Sequence, residues 1–539
     1  MGLAIIKPAG VPGKSWPAIL IGCFVAFGGL LFGYDTGTIG GILAMDYWEN
    51  EFSTGYKNAK GHLDVSPSQS AAVVSILSAG TFFGALTAAP LADFFGRRVA
   101  LLISSGVVFT FGVILQTASA ELPMFIAGRF LCWFWSWSHL CFDSTLPIRD
   151  CSQMDSWSVV DNATQSRNDT GSYRIPIAIQ FLWAIILVVG LLFLPETPRY
   201  LIKRGHYAKA AESLGKLRRL HVDDPAIREE LAEIQANHEY ELQLGQASYM
   251  DCFRGGMTKR LATGCLLQAL QQLTGVNFIF YYGTQYFKNS GITNAFVIQM
   301  ITSAVNVSST LPGLYGIEKF GRRPLLLWGA VGMCVSQLIV AVLGTTTTDQ
   351  TAEGVVFATN IAAQKASIAF ICIYIFFFAS TWGPLAWVVC GEIFPLKVRA
   401  KALSMSVATN WLLNWAIAYS TPYLVNYGTG NANLQSKIFF IWFACCFVCI
   451  AFVYFMIYET KGLTLEQIDE LYDSKTSAKD SVHWKPTKNF RDIVDLPSHE
   501  HGLSHEKHGG VLADEKGTAT HTHDHVHKDV GDATVGHSE

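Results

Sequence analysis

Asp35 is a carboxylate set in a long apolar run, and Arg129 is a guanidinium set in another. A charge deep in a membrane helix costs about 2.5–3.5 kcal/mol on insertion scales, so each needs a partner or a task. Facing one another, the two could capture and release a proton, or they could form a permanent ion pair. Gln271, Gln272 and Asn277 offer a different chemistry. An amide donates and accepts hydrogen bonds without the solvation cost of an ion, so the three together suit an uncharged, hydrogen-bonding ligand. Such amides also join helices to one another inside bundles, and both readings stand. Their offsets do not fall on one ideal helical face, but Gly275 between them can loosen the helix and broaden the surface it presents. Trp387 offers a flat apolar face with one N–H donor, or a packing and interface anchor.

Other residue types exclude functions. The chain has no catalytic constellation and no phosphate loop, so an enzyme is not expected, and neither a cofactor nor a nucleic-acid partner is implied. The 12 cysteines lie mainly in or beside apolar runs, where they act as small buried hydrophobes. Cys446 and Cys449 have metal-pair spacing but no partners, so no metal site is assigned to them. The tail carries an alternating tract, His521, His523, His525 and His527, which could hold a cation or could be low-complexity drift.

These residues sit in a chain built for a bilayer. Half the residues are hydrophobic and 15% are charged, with a mean hydropathy of +0.29. Long runs without charge can each cross a hydrocarbon core of about 30 Å as a helix, and the lipid bilayer is the expected surrounding. Spans are expected near 17–45, 69–92, 99–118, 175–194, 261–287, 295–317, 324–344, 366–390, 402–425 and 437–458, with an ambiguous one at 123–142. The first run contains Asp35 and leads into the bundle, so it is expected to be retained rather than cleaved. Arg97, Arg98, Arg322, Arg323 and the basic stretch 203–219 mark cytosolic loops by the positive-inside rule, which places both termini inside as well.

The chain is also duplicated. Asp93-Phe94-Phe95-Gly96-Arg97-Arg98 returns as Glu318-Lys319-Phe320-Gly321-Arg322-Arg323, and Pro195-Glu196-Thr197-Pro198-Arg199 has a relative in Tyr458-Glu459-Thr460-Lys461-Gly462. The interval between the two phrases is shorter in the first half, by about one membrane helix and its loop. The expected organisation is an N-terminal bundle over 1–195, a cytosolic helical linker over 196–260, a C-terminal bundle over 261–459, and a tail over 460–539. That tail begins with a helix from Leu465 to Tyr472, then turns His-rich and polar and is expected to be disordered.

Taken in order, several motifs resemble the sugar porter family of the major facilitator superfamily, and most of all its fungal monosaccharide transporters. They are Gly28-Gly29-Leu30-Leu31-Phe32-Gly33-Tyr34-Asp35-Thr36-Gly37, the two Gly-Arg-Arg turns, Pro-Glu-Thr-Pro-Arg, Gln271-Gln272-Leu273-Thr274-Gly275-Val276-Asn277 with Tyr281-Tyr282, and Gly383-Pro384-Leu385-Ala386-Trp387. The resemblance covers roughly 1–132 and 160–472. It implies an all-α membrane protein with two six-helix bundles around a midplane site that opens to each side in turn. Its ligand would be a monosaccharide, a hexose with glucose first among the candidates, carried with a proton across the plasma membrane. Phe32, Gln271, Gln272, Asn277, Asn306, Trp387, Asn410 and Trp411 match positions that line the sugar cavity. Asp35 and Arg129 match the proton-coupling pair, where facilitators commonly carry a neutral amide at the first position. Tyr281 and Tyr282 match gating positions. Asp93, Arg97, Arg98, Glu196, Arg199, Glu318, Arg322, Arg323, Glu392, Arg399 and Glu459 match the cytosolic charge clamp that holds the outward-facing state. A second class remains open, because some fungal relatives are membrane sugar sensors that signal through a long tail without transporting.

The resemblance fails over 133–159. From Trp133 the family's glycine-rich fourth helix, its acidic-proline-arginine-glycine turn and a fifth helix with another sugar-binding glutamine are absent. Permitted codons for Trp133 to Ser158, read one nucleotide later, allow Gly-Phe-Gly-Val-Gly-Val, then four loosely determined positions, then Thr-Pro-Leu-Tyr-Gln-Ser-Glu-Ile-Ala-Pro-Lys-Trp-Ile-Arg-Gly. The expectation is a displaced reading frame, with the fourth helix altered and the fifth missing, and hence an impaired product. If 123–142 spans, an odd number of helices sets the basic linker outside, against its charge. If it does not, parity is kept, and Asn162-Ala163-Thr164 and Asn168-Asp169-Thr170 become external glycosylation sequons.

Overall fold

The computed structural model describes residues 24, 28, 33–57, 61–141, 169–243, 248–289, 295–350, 356–395, 397–428, 430–474 and 476–485. Phe32, the segment 142–168 with the asparagines of both sequons, and the His-rich tail lie outside the described residues. The described chain is helical apart from a short antiparallel ribbon, β1 (Thr348–Gln350) with β2 (Val356–Ala358).

In the first half, α1 (33–42) carries Asp35, and a turn leads to α2 (Asp46–Phe52). Then come α3 (Pro67–Phe95), α4 (Arg97–Thr117), α5 (Leu122–Cys141) and α6 (Gly171–Phe193). The ambiguous span is therefore a helix through Cys141. The linker holds α7 (Pro198–Lys203), α8 (Tyr207–Arg218) and α9 (Pro225–Gln243). The second half runs α10 (Met257–Leu273), α11 (Val276–Asn289), α12 (Ala295–Phe320), α13 (Arg322–Thr346), α14 (Ile361–Glu392), α15 (Arg399–Val425) and α16 (Ile438–Met456). The tail helix α17 (Leu465–Asp473) begins in a capping box, with Thr464 and Gln467 bonding reciprocally.

Among the described residues, six helices are long and apolar enough to cross a membrane. The rods α12 and α15 fall outside that set although they are as long, because they bury polar side chains: Thr302, Ser303 and Asn306 on α12, and Ser406, Asn410 and Asn414 on α15. Polar residues on the buried face of a long membrane helix mark a lined pathway or interhelical bonding. The expected single span 261–287 is two helices. Gly275 joins them at φ +86°, and a Cβ there would lie 2.6 Å from Trp442 Cγ, so only glycine fits the break.

The duplication is visible in how helices start. Gly96 and Gly321 precede α4 and α13 with φ of 86° and 94°. In the first half the Glu196 carboxylate accepts from the Arg98 backbone N–H, at 3.2 Å to each oxygen. In the second half Glu459 accepts from the backbone N–H groups of Arg322 and Arg323, each at 3.0 Å. A carboxylate at a helix N-terminus satisfies orphan donors and meets the positive end of the dipole.

Candidate functional site

The amides expected to bind ligand come together across α10, α11 and α15. Gln271 donates to the carbonyls of Trp382 and Gly383 at 2.9 and 3.0 Å, and its oxygen accepts from Asn410 Nδ2 at 2.9 Å. Gln272 donates to Asn410 Oδ1 at 2.9 Å and accepts from Asn277 Nδ2. The break at Gly275 turns Asn277 back onto Gln272. Asn410 also donates to Gln268 Oε1 at 2.7 Å. Gln271, Gln272 and Asn410 are buried, and so are Asn306 and Trp411, while Trp387 is half-buried. The cluster is a set of amides that satisfy one another, and each bond can be exchanged for a hydroxyl at little cost. The carbonyls that hold Gln271 come from Trp382, the last residue of a π-helical turn in α14 (Phe378–Trp382), and from Gly383 after it. Such turns often re-aim a helix at functional sites.

Two members were not foreseen. Gln268 lies one turn before Gln271 and Gln272, and Asn414 one turn after Asn410. Their i, i+3 and i, i+4 spacing is the pattern that could have found them. Asn414 Oδ1 accepts from Ser78 Oγ of the first half at 2.8 Å, and Asn414 Nδ2 donates to Tyr281 Oη at 3.4 Å. Both expected gating tyrosines are buried, and Tyr282 donates to the Ala418 carbonyl at 2.8 Å.

Asp35 and Arg129 are 1% and 2% exposed, and Arg129 Nη1 lies 4.0 Å from Asp35 Oδ1, the outer limit of an ion pair. Neutral donors hold the carboxylate instead. Gln180 of α6 donates to Oδ1 at 2.7 Å, and the Trp133 indole N–H donates to Oδ2. Arg129 Nε and Nη2 are buried without a hydrogen-bond acceptor. Gln180 and Trp133 were not expected at this site, and Trp133 opens the stretch where the motif resemblance was expected to fail.

The clamp residues gather at the other end of the helices. Arg322 makes a two-pronged pair with Glu392, at 2.6 and 3.2 Å, and Thr460 Oγ1 adds a bond to the same carboxylate at 2.6 Å. Arg98 donates to the carbonyls of Leu191 and Leu192 at 3.0 and 2.7 Å. Arg323 donates to the Tyr454 carbonyl at 3.0 Å, and Arg399 to the Phe394 carbonyl at 3.0 Å. Arg97, Arg199 and Glu318 are exposed, and Asp93 lies at the end of α3. These contacts run within one half or the other. The described residues contain no group of three or more His, Cys, Asp or Glu placed to hold a metal.

The family model for sugar (and other) transporters matches residues 21–135 and 157–472. The chain belongs to this family. The transporter is 63% identical over 506 residues to the major facilitator-type transporter ecdD of Aspergillus rugulosus, covering 90% of this chain and 93% of that one. It is 45% identical to the probable glucose transporter rco-3 of Neurospora crassa, covering 92% and 86%. It is also 39% identical to the high glucose sensor RGT2 of Saccharomyces cerevisiae, covering 87% and 62%. Among solved structures, the proton:xylose symporter XylE superposes with a TM-score of 0.69 at 22% identity, over 85% of this chain and 99% of that one. The transporter is therefore a multi-pass membrane sugar porter with the major facilitator fold, and these relatives are described as transporters or a sensor.

Proposed function

We propose that the locus encodes a plasma-membrane symporter that carries a hexose, glucose first, together with a proton by alternating access. The observation that carries this reading is the buried amide cluster of Gln271, Gln272, Asn277 and Asn410, whose mutual bonds can be exchanged for sugar hydroxyls. Likeness to the probable glucose transporter rco-3 supports glucose. In this reading Asn306, Trp411, Trp387 and Phe32 supply further contacts to the sugar. Buried Asp35 beside Arg129 supports proton coupling. A proton entering from outside neutralises Asp35, Arg129 is released from its field, and closure over the sugar follows, with the proton leaving to the cytosol. The Arg322–Glu392 pair and its counterparts would then be made and broken as the inner mouth closes and opens. Labelled glucose uptake by the frame-corrected chain in a transporter-null cell tests this. Asp35→Asn should abolish accumulation against a gradient and spare some exchange. Accumulation by that variant would remove the coupling role.

We also infer that the first bundle of this product is incomplete, with its fourth helix altered from Trp133 and its fifth helix missing. The family match stops at residue 135 and resumes at 157, over the stretch where the shifted frame reads as the family's motif, and this supports the inference. A non-transporting sugar sensor is the second reading, favoured by likeness to RGT2 and by the long tail. Asp35 with Arg129, and a tail without a repeated signalling box, favour transport. Sugar-dependent signalling without uptake in the frame-corrected chain would decide for the sensor.

A further inference from the structure

Where α11 ends, Lys288 reaches from the second half into the first. Its Nζ donates to Asp46 Oδ1 at 2.7 Å, to the Ala44 carbonyl at 3.0 Å and to Glu49 Oε1 and Oε2 at 3.2 and 3.3 Å. An ammonium has three protons, so the two Glu49 oxygens share one of them. Nearby the same two halves meet backbone to backbone. A Cβ on Gly40 would lie 2.8 Å from the Phe280 carbonyl oxygen, and the Ser78–Asn414 bond closes the next layer. This end is opposite the Arg98 and Arg322 turns along α3 and α12, so it is the external end when those basic turns are cytosolic. Opening the cavity outward requires Lys288 to leave α2.

We propose that Lys288 and Glu49 form a proton-dependent latch on the external mouth of the transport cavity, which closes by taking up a proton from the medium. The proposal rests on alternating access and not on proton coupling through Asp35.

The charge balance at the mouth is uneven. One lysine, from α11, faces Asp46 and Glu49 on α2, and Asp64, from the loop before α3, adds its field on Glu49. Asp46 is 79% exposed and well screened, whereas the Glu49 side chain is 9% exposed and must lose its water when the mouth shuts. Burial pushes the Glu49 carboxyl up to about 7, against the pull of Lys288 and with Asp64 and Asp46 adding to the rise. Opening returns Glu49 to water and to the ordinary carboxylate range. The closed mouth therefore holds the Glu49 proton more tightly than the open one, and closure is favoured as pH falls from about 7 toward the ordinary carboxylate value. This is the reverse of what an exposed salt bridge would do, which acid would break. Above that window Glu49 is ionised in both states, and Lys288 alone offsets its desolvation.

Hydrogen–deuterium exchange of the purified full-length chain at pH 6 and pH 8, corrected for intrinsic rates, tests the latch. The open-to-closed ratio should rise about tenfold at pH 8, read as faster exchange in α2 and α11 with slower exchange around Arg322 and Glu392. Glu49→Gln should remove the pH difference and keep the mouth closed, while Asp35→Asn, measured without sugar, should leave the difference intact. Lys288→Gln should speed exchange at the external end at both pH values. Pairing Lys288→Glu with Glu49→Lys should restore protection, which a general loss of folding would not allow. Equal exchange at both pH values in the unsubstituted chain, or faster external exchange at pH 6, overturns the proposal. Loss of the pH difference in Asp35→Asn would assign it to the other carboxylate and overturn it as well.

Discussion

Gln272 is the residue on which the amide cluster turns, because its N–H holds Asn410 while its oxygen receives Asn277. Truncating it leaves the buried Asn410 oxygen and the half-buried Asn277 amide without this partner, and in the proposed reading it removes a contact for a sugar hydroxyl. Each buried group left unpaired costs about 1–3 kcal/mol, so Gln272→Ala in the frame-corrected chain should lower uptake efficiency roughly 5–150-fold while the protein still reaches the membrane. Trp387→Ala should act in the same direction by removing an apolar face for the ring. Labelled uptake beside a surface-expression measurement checks both variants, and unchanged uptake would remove these residues from the site. The amides were legible because their chemistry is unusual in an apolar run. Gln268 and Asn414 were legible in principle from helical spacing. Trp133 was not, since only the fold carries its indole to Asp35, 98 positions away in the chain.

At the scale of elements, the repeated Gly-Arg-Arg turns are two copies of one device, a left-handed glycine that exposes a helix N-terminus to a glutamate from a distant segment. At Gly321 a Cβ would sit 2.7 Å from Glu459 Oε2. Gly321→Ala should therefore cost about 1–2 kcal/mol of backbone strain and displace the carboxylate as well. Glu459→Gln keeps the shape and gives up the charge at the dipole, worth about 0.3–1 kcal/mol. The thermal unfolding midpoint of the purified chain should fall for both variants and further for Gly321→Ala. A larger fall for Glu459→Gln would mean that the charge, and not the backbone, holds this corner. The repeat betrayed these turns in the sequence because both copies keep the same residues at the same places. The break after α10 was only partly legible: Gly275 announced loosening, but the Trp442 ring that makes a side chain impossible there lies far along the chain. The β1–β2 ribbon gave no sequence sign, being three residues a strand.

For the whole molecule, the decisive question is what a bundle can lose. The second half is continuous through the family match, and the first is interrupted between 135 and 157. Helices in a bilayer are held by packing and interhelical hydrogen bonds, not by a hydrophobic drive between them, so a missing helix leaves its neighbours' interior faces toward lipid or water. In this structure Asp35, Gln180, Arg129 and Trp133 share one buried cluster in the first half. An odd number of spans would also press the basic linker toward the wrong side. The 539-residue product, expressed unaltered, should be retained or degraded and show no sugar uptake. Restoring the frame after Cys132 together with the fifth helix should recover surface expression and uptake in the same step, because one packing defect underlies both losses. Robust uptake by the unaltered chain would mean that the first bundle, with α5 continued through Trp133, forms a working cavity as it stands.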